Sequence, residues 1–353
     1  MSQADHLIQI ENLSVGYRTL SGSFKAVIDI NQNFDAQVVY ALVGESGCGK
    51  STLGLSIPRL LPEEHVTYEG RINFRGVNLL SLREEQMEEY RGKEISTIFQ
   101  EPMTSLNPVY RVGDQIAEPL WIRDHRGRVP DGINEAVTSE GKSKLQVFSI
   151  ILGRNLYQHY RSEVQNLLEK LKVPNPLGVS RMYPHELSGG LRQRVMIAIA
   201  LAGEPKFLVA DEPTTALDVT TQAQILYLIK SLSKELRMGV LLITHDLGVV
   251  SAIADVAAVM YAGRIVEEAP VSELFTNPLH PYTLGLMSSF PRGNKSDARL
   301  KTISGIVPPL GKYPHGCSFH PRCNKAFPKC QINTPQLIEV SPGHKVACFL
   351  YGG

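Results

Sequence analysis

A glycine-rich segment that ends in lysine, serine and threonine is the strongest chemical signal in this sequence. It reads Gly44-Glu-Ser-Gly-Cys-Gly-Lys-Ser-Thr52 and fits the spacing G-x-x-x-x-G-K-S of a phosphate-binding loop. Such a loop wraps a phosphate in backbone N–H groups, reaches the β- and γ-phosphates with its lysine, and binds Mg²⁺ with its serine hydroxyl. The segment therefore predicts a nucleoside-triphosphate site formed by Gly44, Glu45, Ser46, Gly47, Cys48, Gly49, Lys50, Ser51 and Thr52.

Two carboxylates follow another apolar run, in the positions that metal and water chemistry require. Asp211 and Glu212 come directly after Phe207–Ala210. A strand-end aspartate can hold the Mg²⁺ shell, and the neighbouring glutamate can orient or deprotonate the attacking water. His245 follows the run Gly239–Thr244, where we expect it to contact the γ-phosphate; a structural histidine is the alternative.

These side chains need a scaffold that places them together, and the sequence predicts a parallel α/β sheet. Short apolar runs rich in β-branched residues predict strands at Leu7–Ile10, Val38–Val43, Ile95–Phe99, Phe207–Ala210 and Gly239–Thr244. A helix is expected at Leu53–Leu61, directly after the phosphate loop. Buried strands with polar residues at their carboxyl ends are typical of a parallel sheet that carries its site along one edge.

The middle of the chain predicts a helical subdomain over about residues 101–195, with an atypically long stretch at 123–172. Arg123–Lys144 is polar and contains three glycines and a proline, so we expect a loop there. Apolar residues at helical spacing from Leu145 to Leu171 predict a long amphipathic helix, or a pair broken at Gly153. We expect this face to pack within the subdomain; a membrane-surface role is the alternative.

Composition excludes several functional classes. The 353 residues are 43% apolar and 20% charged, which suits packed cores and more than one domain. With 36 basic and 35 acidic side chains, the formal net charge of +1 gives no general attraction to nucleic acid. No apolar run approaches the ~20 residues of a spanning helix, and the N-terminus has no signal-peptide pattern. We expect a cytoplasmic chain without a nucleic-acid partner.

Four of the five cysteines crowd towards the end of the chain, at Cys317, Cys323, Cys330 and Cys348. Residues 291–353 are rich in proline and show little hydrophobic periodicity, so we expect a bound metal to stabilise the fold of this extension. In a reducing compartment a metal or iron–sulfur site is favoured over disulfides. Four thiolates suit either an iron–sulfur cluster or tetrahedral zinc, although the wide spacing fits paired zinc ligands poorly.

Taken together, these motifs resemble the nucleotide-binding subunits of ABC transporters over about residues 7–290. Leu187–Arg194, which reads LSGGLRQR, is similar to their signature motif, with Leu191 where many members carry glutamine. The resemblance identifies further motif residues: Ser188, Gly189 and Gly190 of the signature, Gln100 of the Q-loop, Asp218 of the D-loop segment Ala216–Asp218, the switch histidine His245 and the adenine-stacking Tyr17. A buried core tyrosine is the alternative for Tyr17.

The resemblance implies a fold and a mechanism. The fold is α/β, a P-loop NTPase (ABC ATPase) sheet with an antiparallel β subdomain, a helical subdomain and a C-terminal cysteine-rich extension. Residues 1–290 would form the ATPase domain and residues 291–353 the extension. ATP binds with Mg²⁺, whose ligands include Ser51 and Gln100, and two subunits close so that each signature meets the ATP of its partner. Glu212, His245 and Gln100 serve hydrolysis.

Finer similarity points to the dipeptide/oligopeptide importer branch. It lies in Phe99–Pro108, Tyr183–Glu186, Asn277–Tyr282 and the cysteine tail, whose four cysteines are implied to bind a [4Fe–4S] cluster. The implied function is a Mg-dependent ATPase coupled to peptide import, peripheral on the cytoplasmic face of the membrane. Implied partners are a second ATPase subunit, commonly a different chain, two permeases and an extracytoplasmic substrate-binding protein.

Other functions stay open on the sequence. One alternative is an importer ATPase for oligosaccharides or metal complexes, because the transported solute does not touch this subunit. Another is a soluble ABC ATPase of DNA repair or translation. A third is an iron–sulfur regulatory subunit with a degenerate ATP site, against which the intact Lys50, Asp211, Glu212 and His245 count.

Overall fold

A computed structural model describes residues 6–19, 22–100, 105–125, 156–214, 217–288 and 303–352. The chain divides into two compact units. The first unit comprises Met1–Leu82 and Gly239–Gly353, and the second unit comprises Arg83–Met238. The predicted boundary at residue 290 and residues 126–155 of the predicted long stretch lie outside the described ranges.

The strands of the described residues are mostly short and buried. In chain order they are β1 Ile8–Thr19, β2 Gly22–Phe34, β3 Val39–Val43, β4 Val66–Phe74, β5 Val77–Asn78, β6 Ile95–Ile98, β7 Phe207–Asp211, β8 Gly239–Thr244, β9 Val256–Tyr261, β10 Arg264–Pro270, β11 Ile338–Ser341 and β12 His344–Val346.

The helices range from single turns to 17 residues. In chain order they are α1 Lys50–Ser56, α2 Glu84–Met87, α3 Val112–His125, α4 Leu156–His159, α5 Arg161–Lys170, α6 Pro176–Ser180, α7 Gly189–Ala202, α8 Val219–Glu235, α9 Leu247–Ile253, α10 Val271–Thr276, α11 Pro281–Ser288 and α12 Pro328–Ile332. Across the described ranges, none of these helices combines the length and apolar character that a membrane crossing requires.

The first unit contains two sheets. One is antiparallel, with the order β2-β1-β4-β5. In the other, β3 lies parallel to both β8 and β9, and β10, β12 and β11 continue from β9 in antiparallel register. Every residue of β3 and of β8 is buried, which explains why both strands read as continuous apolar runs. The predicted parallel core and antiparallel subdomain are both present.

The C-terminal extension completes this second sheet, which its sequence did not predict. β12 pairs with β10, so that Val346 lies opposite Glu267. His344 Nε2 and Glu267 Oε1 form a fully buried pair at 2.8 Å. The strands were missed because they are three or four residues long and carry charged or polar side chains between the apolar ones.

The second unit contains one parallel strand pair and a group of helices. β6 and β7 run parallel, with Ile98 opposite Ala210, so their carboxyl ends lie side by side. α7 is buried along most of its length and packs against α3, α5 and β6. The helical subdomain is therefore confirmed for the described residues, while Leu145–Asn155 of the predicted amphipathic stretch lies outside them.

Several predicted boundaries were wrong. The loop predicted from Arg123 begins too early, because α3 continues to His125, and the predicted helical stretch is interrupted at Tyr160, between α4 and α5. The helix after the phosphate loop is Lys50–Ser56 rather than Leu53–Leu61, because Pro58 has no backbone N–H to extend the helical ladder. β1 continues to Thr19, so Tyr17 lies within it rather than after it. A register shift between Glu11 and Ser14 interrupts the strand's alternation and hid its length.

Candidate functional site

The phosphate loop joins β3 to α1, and its backbone admits only glycine at two positions. A Cβ on Gly44 would lie 2.3 Å from the carbonyl oxygen of Met260, and one on Gly49 would lie 2.4 Å from that of Ala26. Gly49 also has φ +108°, a conformation that L-residues rarely adopt. The loop is therefore packed tightly against β2 and β9, which fixes the direction of its N–H groups.

Lys50 is buried and bends back over the loop. Its Nζ donates to the carbonyl oxygens of Gly44 at 2.8 Å and Glu45 at 3.1 Å. Cys48 is also buried, with Sγ 3.8 Å from Nζ, and burial raises the pKa of its thiol. A neutral thiol is a small packing group here, while the lysine supplies the positive charge of the loop.

Tyr17 stands beside the start of α1. Its Oη shares a hydrogen bond of 3.0 Å with Thr52 Oγ1, and the residue is half-buried. Tyr17 lines a cavity of about 490 Å³ together with Ser46, Lys50 and Ser51 of the loop. A tyrosine at the wall of the phosphate cavity fits the predicted contact with a base better than the buried-core alternative.

His245 lies next to the phosphate loop in the first unit. β3 and β8 run parallel with Val43 opposite Thr244, so the following residues, Gly44 and His245, leave the same edge of the sheet. His245 is exposed, and Asp246 begins α9 by accepting a hydrogen bond of 2.8 Å from the Gly248 N–H. This placement fits a phosphate contact, as predicted.

Gln100 and the strand-end acids meet in the second unit. Asp211 is buried at the end of β7, and Glu212 follows it with φ +45°. The Gln100 Nε2 donates to Glu212 Oε2 at 3.0 Å. A non-glycine residue in the left-handed region is uncommon and costs about 1–3 kcal/mol, which is typical of functional positions.

The signature motif opens α7. Ser188 is its N-cap and accepts a hydrogen bond of 3.4 Å from the Leu191 N–H. Gly189 has open space where a Cβ would stand, and both Ser188 and Gly189 are exposed. Gln193, one turn on, donates to the carbonyl oxygen of Pro213 and so ties α7 to the turn after Glu212.

Asp218 begins α8 as its N-cap. Its carboxylate accepts a hydrogen bond of 3.0 Å from the Thr221 N–H. Hydrogen bonds from the side chain and the backbone of Thr221 lower the pKa of Asp218. A Cβ on Gly190 would lie 3.1 Å from the Thr221 methyl group, so the signature and the start of α8 are neighbours. Ala216 lies outside the described residues.

The four C-terminal cysteines are free thiols, and Cys317 is close enough to the other three for their charges to affect its pKa. Burial, together with the charges of Cys330, Cys348 and Cys323, raises the pKa of Cys317 to about 11. The Cys317 N–H also donates to the Cys330 carbonyl oxygen at 2.9 Å. However, no group of three or more His, Cys, Asp or Glu side chains in the described ranges could hold a metal ion. As placed, these side chains do not form a metal site.

Sequence reasoning missed two side chains that hold Glu45 of the phosphate loop. The Arg322 guanidinium contacts its carboxylate twice, at 2.7 and 3.1 Å. The Glu45 N–H donates to Tyr282 Oη at 2.9 Å, and burial raises the pKa of Tyr282 well above its usual value. Both residues lie in segments already noted for their resemblance, Asn277–Tyr282 and the cysteine tail, but nothing there indicated a contact with the loop.

Comparison with known proteins agrees with this geometry. Residues 27–215 match the ABC transporter family, and residues 266–330 match the family described as oligopeptide/dipeptide transporter, C-terminal region. A Brucella abortus (strain 2308) protein whose name describes an ATP-binding protein of peptide import is 45% identical over 97% of this chain and 96% of its own. A Sinorhizobium fredii protein, named as a probable peptide ABC transporter ATP-binding protein, is 44% identical over 98% and 96%.

Solved structures confirm the predicted fold class. The ATP-binding cassette MJ0796, solved as a dimer with ADP and Pi, matches with a TM-score of 0.58 and 25% identity over 75% of this chain and 98% of that one. The cbiO1 protein of Clostridium perfringens, part of an ABC transporter complex, matches with a TM-score of 0.56 and 26% identity over 78% and 92%. With its phosphate loop, signature helix and strand-end acids in place, this chain belongs to the ABC transporter family of ATPases.

Proposed function

We propose that this chain is the ATP-binding and ATP-hydrolysing subunit that powers an importer of dipeptides or oligopeptides. The observation that carries the proposal is the match of residues 266–330 to the C-terminal region of oligopeptide/dipeptide transporters. Relatives that align over nearly the whole chain carry names of peptide import, which supports the same conclusion.

ATP binding is assigned to the first unit. Tyr17 contacts the base, while the N–H groups from Ser46 to Thr52 and the Lys50 amine hold the phosphates. Mg²⁺ prefers oxygen donors. Ser51 would offer one from the first unit, and Gln100 and Asp211 carry such donors in the second unit. When bound, Mg²⁺ neutralises charge on the β- and γ-phosphates.

Hydrolysis is assigned to Glu212 as general base towards the attacking water. Gln100 holds the carboxylate through the 3.0 Å hydrogen bond and fixes its direction. His245 contacts the γ-phosphate and stabilises the charge that develops there.

A second ATPase subunit, commonly a different chain, completes the site. Ser188, Gly189 and Gly190 open α7 with exposed backbone N–H groups, which are suited to the phosphates of ATP on the partner subunit. Asp218 lies beside them through Thr221. Closure of the two subunits drives two membrane permeases, which receive the peptide from an extracytoplasmic substrate-binding protein. The chain is then peripheral, on the cytoplasmic face of the membrane.

The proposal also includes a [4Fe–4S] cluster on Cys317, Cys323, Cys330 and Cys348. The gathering of four free thiols favours it, while the placement of the side chains does not form a metal site. No step of ATP hydrolysis uses the cluster.

Reconstitution tests the proposed function. The chain is assembled in liposomes with the proposed permeases, second ATPase and binding protein. We expect ATP hydrolysis that rises several-fold when dipeptides or oligopeptides saturate the binding protein. Stimulation by an oligosaccharide or a metal complex instead would contradict peptide import, and hydrolysis that ignores the permeases would contradict coupling to transport.

A further inference from the structure

The cavity beside the phosphate loop has a wall that comes from the C-terminal extension. Its lining includes Val307, Pro308, Pro309 and Leu310, together with Tyr17 and the loop itself. These four residues lie more than 250 positions after the loop in the sequence. We call residues 303–311 the C-terminal strap.

The cavity lining has two kinds of chemistry. The residues from Ser46 to Thr52 present backbone N–H groups, hydroxyls and the Lys50 amine. Tyr17, Ala26 and Val307–Leu310 present aromatic and aliphatic surface instead. The polar part suits phosphates, and the apolar part suits the flat, largely apolar face of a nucleoside.

The strap is anchored on both sides of this wall. Before it, Ile303 packs so closely on α11 that a Cβ on Gly285 would lie 2.7 Å from its Cγ1. After it, a Cβ on Gly311 would lie 2.4 Å from the ring of Phe24. Between them the two prolines fix their own φ angles. A wall that is ordered in advance loses little entropy when a ligand binds.

Arg322 joins the strap to the phosphate loop. Its guanidinium donates to the carbonyl oxygens of Ser304 at 2.9 Å and Gly305 at 3.2 Å, and to both carboxylate oxygens of Glu45. A fifth N–H points to Tyr261 Oη at 3.4 Å, so all five donors of the group are used. The side chain is only 6% exposed. Lysine cannot reproduce this planar set of contacts.

We propose that Val307–Leu310 of the C-terminal strap are part of the nucleotide site and contact the nucleoside of the bound adenine nucleotide, and that Arg322 is the positioning residue that holds this wall against the phosphate loop. The inference rests on the proposed function, because it takes the ligand of the loop to be ATP. It goes further in assigning nucleoside recognition to the C-terminal extension as well as to Tyr17.

Substitutions in the strap test the wall. Val307→Ser and Leu310→Ser remove apolar surface from the cavity, whereas Ile306→Ser changes a neighbour that is 83% exposed and outside the lining. Calorimetry on the full chain compares ATP, ADP and inorganic tripolyphosphate, which has phosphates but no nucleoside. We expect ATP and ADP to bind roughly 5–20-fold more weakly to Val307→Ser and Leu310→Ser. Tripolyphosphate should stay within about two-fold, and Ile306→Ser should match the wild type.

Arg322→Ala tests the positioning role through ligand selectivity. We expect the ratio of ATP affinity to tripolyphosphate affinity to fall about ten-fold, with Arg322→Lys recovering only part of it. A merely structural role would not change this ratio. Thermal unfolding and a Lys170→Ala control, in an exposed ion pair, report on general damage.

Several results would overturn the proposal. One is unchanged ATP affinity in both strap variants. Another is an equal loss of affinity for ATP and for tripolyphosphate, either in the two strap variants or in Arg322→Ala. That result would mean that the substitutions act on the phosphate loop alone. Failure of the wild type to bind ATP, or unchanged binding of both ligands by Lys50→Ala, would instead remove the proposed function on which the strap depends.

Discussion

The side-chain amide of Gln100 donates a hydrogen bond of 3.0 Å to the Glu212 carboxylate. The two residues follow neighbouring parallel strands, β6 and β7, and lie 112 positions apart in the sequence. Glu212 is held at φ +45°, so both its backbone and its side chain are constrained. A carboxylate fixed in this way is suited to orient a water molecule without reorganisation.

Glu212→Gln should abolish turnover while ATP binding persists. Glutamine keeps the size of the side chain and can still contact Gln100, but it cannot accept a proton. Loss of a general base costs ~10²–10⁴-fold in rate. ATP hydrolysis by the assembled transporter measures the effect, and gel filtration with ATP detects a trapped closed pair. Glu235→Gln, in an exposed ion pair with Lys170, is the control. Hydrolysis within about ten-fold of the wild type would remove Glu212 from its role.

Gly49→Ala should destabilise the first unit and prevent ATP binding. The new Cβ would meet the Ala26 carbonyl oxygen at 2.4 Å, in a backbone conformation with φ +108°. Strain and overpacking together cost about 2–4 kcal/mol of the free energy of unfolding. Urea denaturation and calorimetry with ATP measure both effects.

Gly76→Ala is the matched control for that substitution. Gly76 also has a positive φ, +82°, but nothing lies within 4 Å of its Cβ position. We therefore expect a loss of about 1 kcal/mol and unchanged ATP affinity. If both alanine substitutions lowered the free energy of unfolding by the same amount, the close approach of the loop to β2 would make no contribution to stability.

Local spacing was sufficient to predict the phosphate loop, because one turn between one strand and one helix contains all of its groups. The positions of the acids after β7 and of His245 after β8 were predictable for a similar reason, since polar residues commonly follow the buried strands of a parallel sheet. These predictions needed the type of each element and not its exact length. The boundary errors at β1 and α1 therefore did not affect them.

The contacts of the C-terminal extension could not be predicted in this way. Arg322 meets Glu45 across 277 positions, and no periodicity in a proline-rich segment indicates which surface it will cover. The same holds for Tyr282, whose hydroxyl accepts from the Glu45 N–H. Asp218 is a different case. Its role as the N-cap of α8 follows from a local sequence pattern, but the residue was interpreted only as part of the family motif.

His280→Asn should reduce the loss of stability in acid. His280 is fully buried, and burial lowers its pKa to about 3, against ~6.5 in the unfolded chain. Between these values the unfolded state binds the extra proton, so the free energy of unfolding falls as the pH falls from about 6.5 towards 3. Between pH 8 and pH 5, His280 should lower the free energy of unfolding of the wild type by ~2 kcal/mol.

Asparagine is chosen because its carbonyl oxygen can replace His280 Nδ1, which accepts from the Tyr282 N–H at 3.0 Å. Glu267 and His344 also lie at this point, since Glu267 accepts from the His280 N–H and contacts His344. Urea denaturation of both proteins at pH 8 and pH 5 isolates the contribution as a difference. Equal pH dependence in the two proteins would contradict it.

Val109→Cys should crosslink to a membrane permease in the assembled transporter. Val109 is 72% exposed and lies in the segment Glu101–Leu120, which we expect to contact the permeases. Gln115 holds this segment in shape, with its Nε2 donating to the carbonyl oxygens of Asn107 and Tyr110 at 3.0 Å each. A cysteine at position 109 would therefore be accessible to a crosslinking reagent on a loop of defined shape.

Bifunctional thiol reagents and mass spectrometry identify the crosslinked partner of Val109→Cys. Tyr227→Cys, on the exposed face of α8, is the comparison and should not react with a permease. Ser105 offers a second position in the same segment, whereas Thr104 lies outside the described residues. A transport-competent complex in which neither Val109→Cys nor Ser105→Cys crosslinks would assign the segment an internal role.

Cys323→Ser should remove iron and sulfide from the anaerobically purified chain while ATP still binds at Lys50. The four C-terminal thiols share one neighbourhood, and four thiolates are the ligand set of a [4Fe–4S] cluster. Iron and sulfide analysis with visible spectroscopy gives about four of each per wild-type chain if the cluster forms. Cys48→Ser is the control, because Cys48 lies in the phosphate loop and should leave the iron content unchanged. Stoichiometric zinc in a colourless wild-type protein would contradict the cluster, as would thiols oxidised in pairs without either metal. The sequence implies a cluster in the extension, whereas the side chains form no metal site in the described ranges. The iron analysis decides between these two results.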